Sequence, residues 1–317
     1  MPDAPSRPRR VVVAGASGLI GRHLAASLRA DGVTVTRLVR HPAQEPDEVE
    51  WLTDDRPLDP AVLDGADAVV GLNGASIGRM PWTRRYRSTL LWSRITPTRT
   101  LADAIRRLGE RAPAFLSASA VGYYGTAPGR RLTEQSPRGD TFLADLCGEW
   151  ERAARRAGDR ARVVHLRTAP VVHPRGVLAP MMLLTRLGLA GPIGGGTQVW
   201  PWISLEDEVR AIRHVMDADI DGPVNLAGPA RATANDLGFA LAVRMNRPYL
   251  LRAPRWALRL ALGADAADAV LLADAHVVPR VLESHGFAFR HPSVEAAITA
   301  AVPGHDRERS PASSRSD

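Results

Sequence analysis

The sequence predicts an α/β fold, a doubly wound parallel sheet with a smaller, mostly helical C-terminal lobe. Three observations carry that prediction. Short β-branched or apolar runs alternate with helix-period segments as far as about residue 170. The first run passes through a glycine-rich loop into an amphipathic stretch. Beyond about residue 175 the alternation loosens and short helical patterns take over. Strands separated by helices pair in parallel and are covered on both faces, which is why the runs are almost unbroken in their apolar character.

The elements follow in order. Residues 10–14 (RVVVA) make the opening strand, and in LIGRHLAASLRADG the residues Leu19, Ile20, Leu24 and Leu28 fall on one helical face. A second strand is predicted at 33–39 (VTVTRLV), a weak third near 49–52, and a fourth at 68–72, reached through the turn DGAD. The segment 86–108 predicts a helix bent at Pro97, because proline lacks the N–H that an interior helical residue donates. It leads to a fifth strand at 114–118; a helix at 141–157 and a sixth strand at 162–167 complete the sheet. MMLLTRLGLAGPIGGGTQVWPWIS then carries an apolar helix, a glycine turn and a Trp-bearing strand signal, and the chain to about 301 is mainly short helices. Residues 303–317 have no apolar periodicity, so a disordered tail is expected there.

Composition sets bounds. With 317 residues and 45% hydrophobic content the chain can bury a large core without disulfides or metals. A single cysteine, Cys147, excludes an internal disulfide and any cysteine-built zinc site, and fits a reducing compartment. The nine histidines show no metal-ligand spacing, so no metal is expected. No apolar run is long enough to span a bilayer, and the charged start followed by an apolar stretch breaks at Gly15, so neither a membrane span nor a leader is expected and a cytoplasmic location is. The net charge of +7 does not predict a nucleic-acid partner, because the arginines alternate with acids, as in ERAARRAGDRAR at 151–162. All 41 Lys+Arg residues are arginine.

GASGLIG, Gly15 to Gly21, matches G-x-x-G-x-x-G between a predicted strand and a predicted helix. Gly15 allows the tight turn, Gly18 lets the backbone approach a diphosphate, and Gly21 lets the helix pack close to the strand. With Ser17, Leu19 and Ile20 these residues form the expected cradle for a dinucleotide, over the unpaired N–H groups of the helix start. The end of the second strand selects between the two nicotinamide dinucleotides. An acid there accepts from a ribose 2′-hydroxyl, whereas an arginine pairs with a 2′-phosphate. Here TRLVRHP offers Arg37 and Arg40 and no acid between Asp31 and Glu45, which favours NADP(H); Arg40 is the better placed.

Taken in order, GASGLIG, LVRHP, VVGLNGASI, RMPWT, SASAVGYYG, DLCGEWE, LRTAPVV, GPIGGGTQ with PWIS, and GPVNLAGP resemble the atypical extended short-chain dehydrogenase/reductases of the "epimerase family protein" type. APRWALRLALG, PRVLESHGF and FRHPSVEAAI resemble that family's small C-terminal domain of unknown function. The resemblance implies a Rossmann-type domain, NADP(H), and a substrate cleft between two lobes. It also implies that Leu72, Asn73 and Gly74 pass the cofactor's ribose, although GLNG stands where NLAG is more usual. Ser204 stands where many relatives carry histidine. The expected organisation is an NADP-binding domain at 8–240, with substrate-lobe segments interleaved after about 175, a small domain at 241–302 and the tail at 303–317.

Ordinary members of this group follow a serine with a Tyr-x-x-x-Lys pair, and aligning the helix by GEWE puts Leu143 and Cys147 at those positions. The usual base is therefore missing. Reducing a carbonyl takes a proton donor instead, and a phenol in its ordinary protonated form is one. Ser119, Tyr123 and Tyr124 in SASAVGYYG are the candidate catalytic residues, with one tyrosine as the acid and Ser119 as a second donor. Cys147 is expected to pack as a small hydrophobe. Trp82, Trp200 and Trp202 flank glycine turns and are candidates for lining a substrate pocket. An NADP(H)-dependent reductase of a small carbonyl compound is the first expectation. A sugar-nucleotide epimerase and a catalytically silent NADP(H)-binding protein remain the alternatives, and the sequence does not fix the oligomeric state.

Overall fold

The computed structural model describes residues 9–54 and 56–304. The chain begins with β1 (Arg10–Ala14), α1 (Leu19–Ala30), β2 (Thr34–Val39) and β3 (Glu48–Glu50). It crosses to β4 (Ala68–Gly71), α2 (Arg84–Arg107), β5 (Ala114–Ala120), a two-residue β6 (Arg131–Leu132), α3 (Phe142–Ala154) and β7 (Val163–Thr168). Next come β8 (Val171–Val172), α4 (Leu178–Arg186), β9 (Ile203–Ser204), α5 (Leu205–Asp217) and β10 (Gly222–Leu226). The last elements are α6 (Ala234–Arg244), α7 (Arg255–Leu262), the single turn α8 (Ala264–Ala266), β11 (His276–Val277), α9 (Arg280–Ser284) and α10 (Val294–Ala301).

Seven strands form one sheet in the order β10-β7-β5-β4-β1-β2-β3, and every pairing in it is parallel. The chain winds outward from β1 through β2 to β3, then returns to the other side of β1 with β4 and continues to β10. The switch point lies between β1 and β4, where Ala14 stands opposite Gly71 and the loops that follow the two strands diverge. Val11, Val13, Leu24, Leu116, Leu166, Ile212 and Val224 fill one face, beneath α1 and α5. Val12, Val69, Leu101, Ile105 and Phe115 fill the other, beneath α2. A third cluster, with Leu178, Trp200, Trp202, Leu237, Leu241 and Ile298, is the core of the smaller lobe.

The helix expected here runs over Arg84–Arg107 with Pro97 buried within it. One expectation is corrected. The sheet has a seventh strand, β10, beyond the six that the sequence predicted. From residue 305 onward the expected tail lies outside the described residues. Among the described residues, no helix is long and apolar enough to cross a membrane.

Candidate functional site

The loop after β1 is shaped by its glycines. Gly15 adopts φ +85°, and a Cβ there would stand 2.9 Å from the Leu72 backbone, so a side chain is excluded by both conformation and space. A Cβ on Gly21 would overlap the Gly15 carbonyl oxygen. Helix α1 therefore starts hard against the end of β1, bringing Ser17, Leu19 and Ile20 over the sheet edge. Gly18 caps α1 with no side-chain hydrogen bond, and the first turn holds no acid. The N–H groups there are free to meet an anion, and nothing in the turn repels one.

At the end of β2 the two candidate arginines differ. Arg37 is engaged: its Nε and Nη2 donate to the two oxygens of Asp47 at 2.9 and 2.6 Å, and Nη1 lies 3.1 Å from Glu48. The hydrogen bonds and charge of Arg37 hold the Asp47 carboxyl below the usual range, and Asp47 in turn raises Arg37. Arg40 is exposed and makes no hydrogen bond or ion pair to any described residue. The sequence could rank the two only by position. The structure separates them by occupancy.

Leu72, Asn73 and Gly74 leave β4 beside this loop, with the Leu72 N–H donating to the Ala14 carbonyl at 2.8 Å. Asn73 Oδ1 is buried and has no hydrogen-bond partner among the described residues. Together the glycine cradle, the uncapped helix, the unengaged Arg40 and the orphaned Asn73 acceptor fit a dinucleotide lying across the switch point.

Further along the same sheet edge, the candidate catalytic residues gather around a group that the sequence did not single out. Arg167 on β7 donates from Nε and Nη2 to the two oxygens of Glu151 on α3, at 2.8 and 3.0 Å, and both side chains are 4% exposed. Nη1 donates to the Tyr124 hydroxyl at 2.9 Å and to the Glu134 carbonyl at 3.2 Å. The guanidinium carbon lies 3.6 Å from the centre of the Tyr123 ring. Burial opposes the charge of Glu151, yet the hydrogen bonds and charge of Arg167 bring its carboxyl below the usual range.

Two of the three candidates are committed within this network. Tyr124 is 2% exposed; its hydroxyl donates to Asn225 Oδ1 at 2.7 Å, and burial pushes it up to about 12. Ser119 gives its proton to Glu151 Oε1 at 2.8 Å, so the second hydrogen bond expected of it is already spent on a carboxylate. Tyr123 is half-buried, and its hydroxyl makes no hydrogen bond to a described residue. It alone of the three has an unengaged proton. Cys147 is buried, and its thiol is pushed up to about 12 by that burial, consistent with a packing residue.

The three tryptophans that are candidates for lining a substrate pocket do not fall in one cluster. Trp82 packs with Leu143 and Cys147, whereas Trp200 and Trp202 lie in the core of the small lobe. All three are buried, and each indole N–H donates to a backbone carbonyl, of Ile77, Leu271 and Ala230 respectively. Their apolar surface is used up in packing. Ser204, placed by the resemblance where relatives carry histidine, caps α5, and the ring of His291 reaches its hydroxyl at 2.9 Å from the small lobe.

Of Glu151, Arg167, Glu134 and Asn225, only Arg167 carries a sequence signal. An arginine inside the run VVHLRT, on a strand covered on both faces, must find a buried partner. Glu208 on α5 belongs with them. It is 0% exposed, among the described residues its carboxyl accepts only from Thr168 at 2.8 Å, and burial raises it to about 8.

Comparison with known proteins agrees with this geometry. Residues 11–227 match the NAD dependent epimerase/dehydratase family, and residues 253–301 match a domain of unknown function, DUF1731. An epimerase family protein of Mycobacterium bovis is 41% identical over 291 residues, covering 91% of this chain and 96% of that protein. The crystal structure of human epimerase family protein SDR39U1 with NADPH superposes with a TM-score of 0.84 at 31% identity, over 92% of this chain and 98% of that one. A nucleoside-diphosphate sugar epimerase from Corynebacterium glutamicum aligns with a TM-score of 0.74 at 32% identity, over 93% of this chain and 58% of that one. The switch-point cradle, the sheet order and these matches together place the chain in the NAD-dependent epimerase/dehydratase family of extended short-chain dehydrogenase/reductases, with a DUF1731 domain at its C-terminal end.

Proposed function

We propose that this protein is an NADP(H)-dependent reductase of a small carbonyl compound. The observation that carries the reading is the contrast at the end of β2: Arg37 is held by Asp47 and Glu48, while Arg40 is exposed and unengaged beside the phosphate cradle. A 2′-phosphate gives Arg40 the partner it lacks. The human relative that superposes most of its length on this chain was crystallised with NADPH, which supports the same choice.

The backbone of Gly15, Ser17, Gly18, Leu19, Ile20 and Gly21 would hold the diphosphate, Arg40 the 2′-phosphate, and Leu72, Asn73 and Gly74 the ribose side of the cofactor. When bound, the reduced cofactor supplies a hydride. The chain's own part is to place the carbonyl and give it a proton. Tyr123, with its hydroxyl unengaged, is the donor. Arg167 lies against the face of its ring and restrains that ring, as Glu151 restrains Arg167. The buried Tyr124 and Ser119 are positioning residues that complete the network. An epimerase needs an efficient base to begin by oxidising its substrate, and the position of the usual lysine is occupied here by the un-ionised thiol of Cys147.

Incubation of the purified protein with NADPH and a panel of aldehydes, ketones and quinones tests the reading through loss of NADPH absorbance. Consumption with at least one class supports it. Tight NADPH binding with no consumption by any class contradicts the reductase and leaves a cofactor-binding protein. Exchange of a sugar-nucleotide stereocentre without net NADPH loss contradicts it in favour of the epimerase.

A further inference from the structure

Two arginines are buried near the carboxyl edge of the sheet, and only one of them is balanced. Arg167 is paired with Glu151. Arg94 on α2 is 8% exposed and has no carboxylate partner among the described residues. Its Nη1 donates to the Leu90 carbonyl at 2.9 Å and to Ser93 Oγ at 3.5 Å, its Nη2 donates to the Ala75 carbonyl at 2.9 Å, and its Nε donates to no described residue. The guanidinium carbon lies 5.1 Å from the Trp150 ring. The ionisable side chains that act on it are those of Cys147 and Tyr86; burial keeps the Cys147 thiol neutral, so it offers no counter-charge. A guanidinium stays charged even when burial lowers its pKa, and a buried cation without an anion is costly.

Its position indicates what would balance it. Arg94 lies directly behind the loop that leaves β4: a Cβ on Gly74 would stand 3.0 Å from the guanidinium carbon, so the close approach depends on that glycine. The same loop carries the orphaned Asn73 Oδ1 and packs through Leu72 against Gly15 of the phosphate cradle. An unbalanced cation and an unpaired acceptor therefore meet at the one loop that leaves β4 beside the phosphate cradle. A ligand rich in oxygen acceptors and carrying hydroxyl donors satisfies both.

We propose that Arg94 is a binding residue for the nicotinamide-ribosyl half of the dinucleotide, giving this chain from α2 the positive charge that α3 does not supply. Arg94 donates to oxygens of that ribose and its adjoining phosphate, and Asn73 accepts from a ribose hydroxyl. The inference rests on the NADP(H) reading above. It differs from it in naming a residue for the half of the cofactor that Arg40 does not touch.

Calorimetric titration of the full chain with NADPH and with 2′,5′-ADP, which lacks the nicotinamide riboside, tests the assignment. For Arg94→Met, NADPH binding is expected to weaken about ten- to hundredfold, the scale of a lost charge-assisted hydrogen bond, while 2′,5′-ADP binding stays within about twofold of wild type. Arg94→Lys keeps a cation and is expected to recover most of the NADPH affinity. Thermal unfolding of each variant reports whether the fold is intact, and if Arg94→Met fails to fold, the ratio of the two affinities in Arg94→Gln, which removes the charge and keeps a polar side chain, decides. A ratio shifted against NADPH supports the assignment; an unchanged ratio overturns it. Equal weakening of both ligands also overturns it, leaving Arg94 as a clamp on the loop. If the wild type binds 2′,5′-ADP but not NADPH, this inference fails while the cradle and Arg40 stand. If it binds neither, the cofactor reading fails and this inference with it.

Discussion

The Arg167 guanidinium carbon lies over the Tyr123 ring, 3.6 Å from its centre, while both oxygens of Glu151 accept from the same guanidinium. One buried ion pair thus sets the position of a residue with an unengaged hydroxyl and, through Tyr124 and Asn225, ties β5 and β7 to β10. Replacing Arg167 by Met leaves the Glu151 carboxylate buried without its counter-charge, with Ser119 as a remaining donor, and should cost about 3–5 kcal/mol in unfolding free energy. Urea denaturation of the single variants and of the Arg167→Met, Glu151→Leu double variant checks this. The double variant should lose much less than the sum of the two single losses.

The adjacent tyrosines should separate cleanly. Tyr124→Phe leaves Asn225 Oδ1 and an Arg167 N–H unpaired in the interior, so a loss of about 1–3 kcal/mol in stability is expected. Tyr123→Phe removes a hydroxyl that bonds to no described residue, so stability should stay within about 0.5 kcal/mol while carbonyl reduction falls by about 100-fold or more. Thermal melts and turnover assays on both variants, with whichever carbonyl substrate the panel identifies, distinguish the roles.

Glu208 makes stability depend on pH in a fixed direction. Its carboxyl is raised in the folded protein to about 8 from an ordinary 4.5, so between those values the folded state binds the proton more tightly than the unfolded state. Stability must then fall as pH rises through that window, and the burden is complete once the folded protein's group ionises near pH 8. Glu208→Gln keeps the shape and removes the titration. Relative to wild type it should gain on the order of 3–5 kcal/mol between pH 5 and pH 9, measured as the difference in urea midpoints at the two values.

Gly21→Ala tests the cradle's construction. The added methyl overlaps the Gly15 carbonyl oxygen, so α1 must move away from β1. A loss of about 1–3 kcal/mol is expected, together with loss of NADPH binding, because the N–H groups of the helix start shift with it. Calorimetry and thermal unfolding on the same preparation read both effects.

The legible parts of this protein are those where a local rule meets no competitor. GASGLIG needs its glycines for reasons of backbone conformation and space, and RVVVA is apolar because both faces of its strand are covered. Strand β10 was hidden because GPVNL looks like a turn. Pro223 is tolerated there because β10 is the edge of the sheet, pairing only with β7. The Trp-bearing strand signal around WPWIS yields only short pieces of strand. Pro201 interrupts it, leaving an isolated bridge at Val199 and a two-residue strand at Ile203–Ser204. In the site, the cofactor loop could be read from spacing, but the Arg167 network could not. Its members come from residues 119, 124, 134, 151, 167 and 225, and only the sheet order makes them neighbours. Arg94 was invisible for a different reason: in a helix rich in arginine, nothing in the sequence shows which one lacks a partner.

The central claim is that this crevice holds NADP(H) through Arg40 and the glycine cradle, and parallel calorimetric titrations with NADPH and NADH test it most directly. The account predicts NADPH binding at least about tenfold tighter than NADH in the wild type, with the preference abolished in Arg40→Gln and NADH affinity unchanged by that substitution. Absence of heat with either cofactor would contradict it, and so would equal affinities in the wild type.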